Sequence, residues 1–226
     1  MLRQSLFAVP LLLVSSMASA GTMITSGSVE FQETDFNSVP VFPDLARFDT
    51  NLGTLSSVLV EFFGEATSEV TTVNTSNEEG WFRSTSDFVF SLGSADSDVG
   101  ALLGALAFSG ATSTGALLNI TAGATHDFGV LNFSGGSSAT FSAPDELSAF
   151  EGPGVLEIGV STFALVSNSN INGNFDTQVV SNAGGTVKIT YTYDAPPVVP
   201  EPSSVIMLGL AGGLVGAVLR FRKPRA

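Results

Sequence analysis

The sequence has no cysteine and a single histidine, His126, among 226 residues. Without cysteine the chain can form neither a disulfide framework nor a thiolate nucleophile nor a zinc–thiolate site, and one histidine excludes a histidine-rich metal centre. Charge is also scarce: 13% of the residues are charged, and 8 basic residues face 21 acidic ones. Nucleic-acid binding needs a basic surface, so we predict no nucleic-acid partner.

The first twenty residues have the pattern of a secretory signal peptide. Arg3 is the only charge, an apolar stretch follows, and the segment ends in the small residues Ala18 and Ala20. Signal peptidase cleaves after such a small-residue pattern. We therefore predict a signal peptide at residues 1–20 and a mature chain that begins at Gly21.

The other end of the sequence reads as a membrane tail. Residues 195–202 are rich in proline and predict an extended linker. Residues 203–219 carry no charge and, at about 1.5 Å per residue, are long enough to cross a thin bilayer as a transmembrane helix. Residues 220–226 predict a basic cytoplasmic tail that stops transfer; its basic residues are Arg220, Arg222, Lys223 and Arg225.

This tail resembles a PEP-CTERM sorting signal. The resemblance rests on the motif Pro200-Glu201-Pro202, the apolar Gly-containing span after it and the basic cluster at the end. It implies a precursor held transiently in the cytoplasmic membrane of a Gram-negative bacterium and processed there by an exosortase. It further implies that Pro200, Glu201 and Pro202 are the recognition motif, and that the product is released to or attached at the cell surface, often together with exopolysaccharide.

Residues 21–199 form a strongly acidic body, with 20 acidic and 3 basic residues and a net charge of −17. Such a charge keeps an exported protein soluble and its copies apart. A second interpretation is that some of these acids bind divalent cations, which would also bridge the body to an anionic polysaccharide.

Apolar residues in the body alternate with a period of two, which is typical of strands. The clearest example runs from Val187 to Tyr193 after the turn pair Gly184-Gly185, and Val58, Val60 and Phe62 alternate in the same way, with Phe63 suggesting burial on both faces. Further short strands separated by turns, among them Gly135 to Ser138, predict an all-β fold: a single β-sandwich or jelly-roll domain at residues 21–194. The apolar stretch 99–108 predicts a buried strand or short helix that covers one end of the sandwich.

Residues 47–58, with Arg47-Phe-Asp-Thr-Asn-Leu-Gly-Thr-Leu at their start, are similar to the opening signature of the choice-of-anchor E domain. The resemblance implies a bacterial surface domain and no particular reaction. The residues themselves predict a turn: Asp49 and Asn51 would hydrogen-bond their own backbone, and Gly53 would accept a positive φ.

Catalytic chemistry finds weak support in the sequence. His126 and Asp127 are adjacent on a predicted strand and so point to opposite faces. Glycoside hydrolysis needs two carboxylates that face one cleft, and the candidate pairs are Glu78 with Glu79, Asp145 with Glu146, and Glu151 with Glu157. Trp81 is either a core residue, which we favour, or a platform for stacking sugars.

Calcium is the one metal that the sequence suggests. Oxygen-bearing side chains recur at every second residue at Asp96 and Asp98, and again at Asn172, Asn174 and Asp176. Calcium prefers oxygen ligands of this kind. Ordinary turn chemistry explains both clusters equally well, so a calcium site and no cofactor at all remain open.

Together these features predict an exported, non-enzymatic cell-surface or extracellular-matrix protein. Its partners would be signal peptidase, an exosortase, the cytoplasmic membrane and an exopolysaccharide. The alternative is a calcium- or carbohydrate-binding adhesion module associated with exopolysaccharide, and a more distant one is a secreted glycan hydrolase.

Overall fold

The computed structural model describes residues 20–33, 41–42 and 44–196, leaving out the side chains of residues 29–33. Residues Ala20–Asp194 form one unit, and Met1–Ser19 with Ala195–Ala226 form a second. The predicted signal peptide up to residue 19, the transmembrane helix and the basic tail lie outside the described residues.

The described residues of this unit contain eight strands and two short α-helices. In chain order they are β1 (Ala20–Glu33), β2 (Thr54–Asn74), β3 (Gly80–Ser94), α1 (Ser97–Leu103), β4 (Phe108–Ser113), β5 (Leu118–Ile120), β6 (Thr125–Phe141), α2 (Pro144–Ser148), β7 (Ile158–Ile171) and β8 (Phe175–Asp194). This content confirms the all-β prediction.

The strands form two antiparallel sheets with interleaved connectivity. Sheet A has the order β1-β8-β2-β6, and in sheet B the central strand β3 pairs with β7 on one side and with β4 and then β5 on the other. The first and last strands are neighbours, and the chain passes repeatedly from one sheet to the other. Such interleaving is the connectivity of Greek-key sandwiches and jelly rolls.

The strands are longer than the sequence pattern predicts, and two predicted turns are wrong. Gly184 and Gly185 lie inside β8, and Gly135 and Gly136 lie inside β6. Gly64 of β2 pairs with Gly135 on one side and Gly185 on the other, so three glycines form one row across sheet A. This row lets the core rings approach the sheet, because a Cβ atom at Gly64 would lie 2.8 Å from the Phe90 ring.

Aromatic rings from both sheets fill the larger part of the core. The Phe62 ring of sheet A lies 6.3 Å from the Phe90 ring of sheet B, and Phe90 stacks on Phe108 at 4.9 Å. These residues belong to one buried cluster that continues to the end of the sandwich where α1 lies. From Val58 onward the alternation in β2 therefore points even-numbered side chains inward. The predicted burial of Phe63 is wrong, because Phe63 lies on the outer face.

A buried layer of hydroxyl groups separates this cluster from a smaller apolar cluster around Val70, Phe82 and Ile120. Ser68 and Ser86 hydrogen-bond across the two sheets at 2.9 Å, and Ser181 donates to Ser68 at 3.4 Å. The Ser84 hydroxyl is buried in the same layer and has no hydrogen-bond partner among the described residues.

One end of the sandwich is covered by α1 and the 3-10 turn Gly104–Leu106 that follows it. Their apolar side chains Val99, Leu103 and Leu106 are fully buried. Of the two forms predicted for residues 99–108, a buried strand or a short helix, the structure shows a short helix followed by this 3-10 turn, and β4 begins at Phe108.

Candidate functional site

The signature at residues 47–58 forms a turn, as predicted. The Asp49 carboxylate accepts hydrogen bonds from the Asn51 backbone at 2.9 Å and from the Asn51 side chain at 2.7 Å. Gly53 ends the turn with φ +148°, after which β2 begins. The turn and the loop Gly152 to Gly154 line a depression of about 400 Å³.

Arg47 ties this turn to two other segments. Its guanidinium donates to the Asp96 carboxylate at 2.7 Å and to the Ala149 carbonyl at 2.8 Å. The hydrogen bond from Arg47, with those from the backbone of Asp98 and Val99, lowers the pKa of Asp96 below its ordinary value of 3.8. Through these two hydrogen bonds Arg47, which also lines the depression, connects the turn to the segments at Asp96 and Ala149.

The structure separates the two predicted calcium clusters. Asp96 and Asp98 follow β3, whereas Asn172, Asn174 and Asp176 lie where β7 turns into β8, beside the start of β3. Asp96 caps α1, and both of its oxygens already accept hydrogen bonds. Asn172 has φ +56°, which suits a tight turn.

Calcium therefore stays a prediction at both clusters, and Asp96 is the member whose two oxygens already accept hydrogen bonds. Across the described residues no three His, Asp or Glu side chains gather as a metal site. The Asn174 carbonyl already accepts from the Thr75 backbone and hydroxyl.

The candidate catalytic residues are also scattered, and several hold turns together. The Glu146 carboxylate accepts from the backbone of Ser142 and Ala143, which fixes the start of α2. Glu79 accepts from the Asn119 side chain at 3.1 Å. The His126 ring packs edge-on against Phe128 with 4.5 Å between ring centres, and Asp127 bonds the Gly129 backbone instead of the imidazole.

A shallow depression of about 530 Å³ lies on the outer face of sheet A. Phe63 forms its apolar part and is 46% exposed, and the Gly136 position opposite carries no side chain to cover the ring. The Lys188 ammonium pairs with Glu61 at 2.8 Å on the neighbouring row. Sequence reasoning missed this feature, although strict alternation from Val58 places Phe63 on the same face as Glu61.

The outer face of sheet B exposes the tryptophan. Trp81 is 42% exposed, while its neighbour Phe82 is in the core, so the favoured prediction of a buried Trp81 is wrong. Its partners in the flanking strands are Ile171 and Asn119. Gly80 and Phe82 both lie on the inner face, so the alternation of the strand points Trp81 outward.

The predicted sorting motif Pro200, Glu201 and Pro202 and the basic residues Arg220, Arg222, Lys223 and Arg225 lie outside the described residues. Within residues 20–33, 41–42 and 44–196, no helix is long and apolar enough to cross a membrane. Ala20 is the first residue of β1, where it pairs with Asp194, so the predicted cleavage point before Gly21 falls at the start of this strand.

Comparison with known proteins gives low similarity over the folded unit. No curated protein matches the chain. It is similar to a structure of infectious bursal disease virus strain Gx at 10% identity and a TM-score of 0.18, over 86% of this chain and 43% of that one. It is similar to mud crab tombus-like virus at 14% identity and a TM-score of 0.21, over 92% and 96% of the two chains. The chain thus spans less than half the length of the first of these proteins.

The C-terminal segment gives a specific match. Residues 198–223 match the family model of the PEP-CTERM protein-sorting motif, and this range contains Pro200, Glu201 and Pro202. The resemblance of residues 47–58 to the choice-of-anchor E signature stays a prediction. The motif implies an exported precursor that passes the membrane and is processed by an exosortase, so the chain carries the sorting signal of an exosortase substrate.

Proposed function

We propose that this protein is a non-enzymatic component of the bacterial cell surface or extracellular matrix, delivered by an exosortase. The sorting motif at residues 198–223 is the observation that carries the proposal. It directly follows the folded unit, whose last strand ends at Asp194 beside the start of β1. Cleavage within the linker would therefore release the domain with all of its strands.

The structural tasks of the candidate catalytic residues support the non-enzymatic part of the proposal. Glu146 fixes the start of a helix, and Asp127 accepts a hydrogen bond from the Gly129 backbone. Two depressions in the described part of the chain are open features, one on the outer face of sheet A and one beside the turn at Asp49.

The sorting step is tested by replacing the motif carboxylate. In Glu201→Gln the recognition motif loses its charge, and we expect the precursor to accumulate in the membrane fraction. Glu157→Gln removes one charge from an exposed position of the folded unit and should leave sorting unchanged. Equal release of both variants would contradict the proposal.

Carbohydrate binding is a second candidate function, and the depression on sheet A favours it. An exposed aromatic ring flanked by hydroxyl and charged groups is suited to stacking on a sugar while hydrogen-bonding its edge. The groups beside Phe63 are Ser138, Thr186 and the Lys188–Glu61 pair. Protein charge repels an anionic polymer, so the ligand would be a neutral polysaccharide.

Retention on the host's polysaccharide tests this candidate. Phe63→Ala should reduce retention, whereas Val130→Ala, at an exposed apolar position on the same sheet, should not. Identical retention of wild type and Phe63→Ala would exclude the depression as a sugar site.

A further inference from the structure

The outer face of sheet B is almost uncharged in an otherwise acidic protein. The strands β3, β4, β5 and β7 place only two charged side chains on it, Arg83 and Asp87. Trp81 is 42% exposed there, and four other large apolar residues are between 43% and 53% exposed: Val89, Phe163, Leu165 and Ile171. Exposed apolar patches of this kind mark contact surfaces.

The pairing register arranges these side chains symmetrically about Thr85, except for Leu165, whose counterpart across Thr85 is Ser169. Two residues from Thr85 on β3 lie Arg83 on one side and Asp87 on the other, and four residues away lie Trp81 and Val89. Strand β7 repeats the apolar part of the pattern, since Ile171 pairs with Trp81 and Phe163 pairs with Val89. Along β3 the outward side chains are therefore, in order, apolar, positive, hydroxyl, negative and apolar.

We propose that this face binds a second copy of the same chain. A twofold axis that runs across the strands at Thr85 reverses the strand direction of the second copy. It brings Arg83 of each copy opposite Asp87 of the other, and the Trp81–Ile171 row opposite the Val89–Phe163 row. Packed sheets lie about 10 Å apart, and their strands cross at roughly 30°. Arg83 is two residues, about 7 Å, from the axis. At this short distance the crossing angle displaces it little from Asp87 of the other copy.

Charge complementarity selects a second copy as the occupant. The net charge of the body repels other copies at most orientations, and the outer face of sheet A carries three acids, Glu61, Glu65 and Glu69, against the single base Lys188. At the sheet B face each copy supplies one positive and one negative group in positions that exchange under the twofold axis. Like-charge contacts are costly at interfaces, so the twofold pairing of two sheet B faces is favoured over pairing through the outer face of sheet A.

The size of the face predicts weak association. Three strands over about ten residues cover roughly 500 Å² per copy, or about 1,000 Å² in total, which is the lower limit for a specific interface. The pairing would therefore be populated where copies are crowded, as they are on a cell surface or in a matrix.

Charge reversal on the exported protein, purified from the cells that make it, tests the orientation. Sedimentation velocity between about 1 µM and 1 mM covers the range of weak pairing. We expect a monomer–dimer equilibrium in the wild type, and at least tenfold weaker association in Arg83→Asp and in Asp87→Arg. The double variant restores opposite charges across the axis and should return to within threefold of the wild type.

Two control variants separate the pairing from net charge. Lys188→Asp and Glu65→Arg make the same charge changes on the outer face of sheet A, and neither should weaken association tenfold. A wild type that stays monomeric throughout would overturn the proposal, and so would a double variant as weak as the single ones. A face that retains polysaccharide through Trp81 without self-association would also overturn it.

Crosslinking tests the axis independently of the charge variants. The chain has no cysteine, so Thr85→Cys introduces a unique thiol at the axis. A bis-maleimide about 10 Å long, the spacing of packed sheets, should couple two Thr85→Cys copies efficiently. Thr67→Cys on the outer face of sheet A is the control, and equal coupling of the two variants would contradict the proposed axis.

Discussion

Hydrogen bonds between buried serine hydroxyls stabilise the boundary between the larger and the smaller apolar cluster of the core. Ser68 accepts or donates bonds with Ser86 and Ser181, so Ser68→Ala leaves two buried hydroxyls with one partner fewer. We expect a loss of about 1–3 kcal/mol in the free energy of unfolding. Ser84→Ala makes the same change at a buried hydroxyl without a partner among the described residues, and it should be neutral or slightly stabilising. Urea unfolding of both variants measures the difference, and equal losses would contradict the role of the layer.

The Arg47–Asp96 pair makes stability depend on pH. Because the pKa of Asp96 is lowered in the folded chain, folding favours the charged carboxylate. The stabilisation is present above the ordinary value of 3.8 and is lost as the pH falls through the lower folded value. We expect Asp96→Asn to lower the unfolding temperature at pH 7, with a difference from wild type that shrinks in acid.

Asp98→Asn is the matched control for this prediction, because it removes a charge from the same helix without touching Arg47. A difference between wild type and Asp96→Asn that stays constant down to pH 2 would contradict the account.

Among the strands, β2 depends on a glycine at its centre. A Cβ atom at Gly64 would lie 2.8 Å from Phe90 and 2.9 Å from Phe108, two rings that stack on each other. We therefore expect Gly64→Ala to destabilise the fold by about 1–3 kcal/mol, the usual cost of overpacking. Gly93→Ala in β3 adds the same group into open space and serves as the control. Thermal unfolding that is the same for both variants would show that the ring pair adapts.

The sequence predicts which elements form better than where they end. Alternation identified β2 and β8, because it aims every second side chain into the core. The continuation of β8 through Gly184 and Gly185 could not be read from the sequence, since glycine also marks turns and only the facing Gly64 and Glu65 show that these residues stay in the ladder. The prediction of a buried Trp81 failed for a related reason. No alternating apolar residues precede Trp81 in the sequence, so the pattern does not show which face of β3 it occupies.

At the scale of the whole molecule, the folded unit and the C-terminal sorting signal are separate segments of the chain. The last strand, β8, lies between β1 and β2 in sheet A and ends at Asp194. The match to the sorting motif begins after it, at residue 198. Processing in the linker would leave every described strand intact. The domain and its sorting signal can therefore be altered separately, which makes both proposals testable in one host.

The intact mass of the protein recovered from the host's envelope and medium tests the central claim most directly. We expect a chain that begins at Gly21 and lacks the segment after the Pro200–Pro202 motif, and any extra mass at the new C-terminus would report an attachment. A recovered chain that still carries residues 220–226 would contradict exosortase processing.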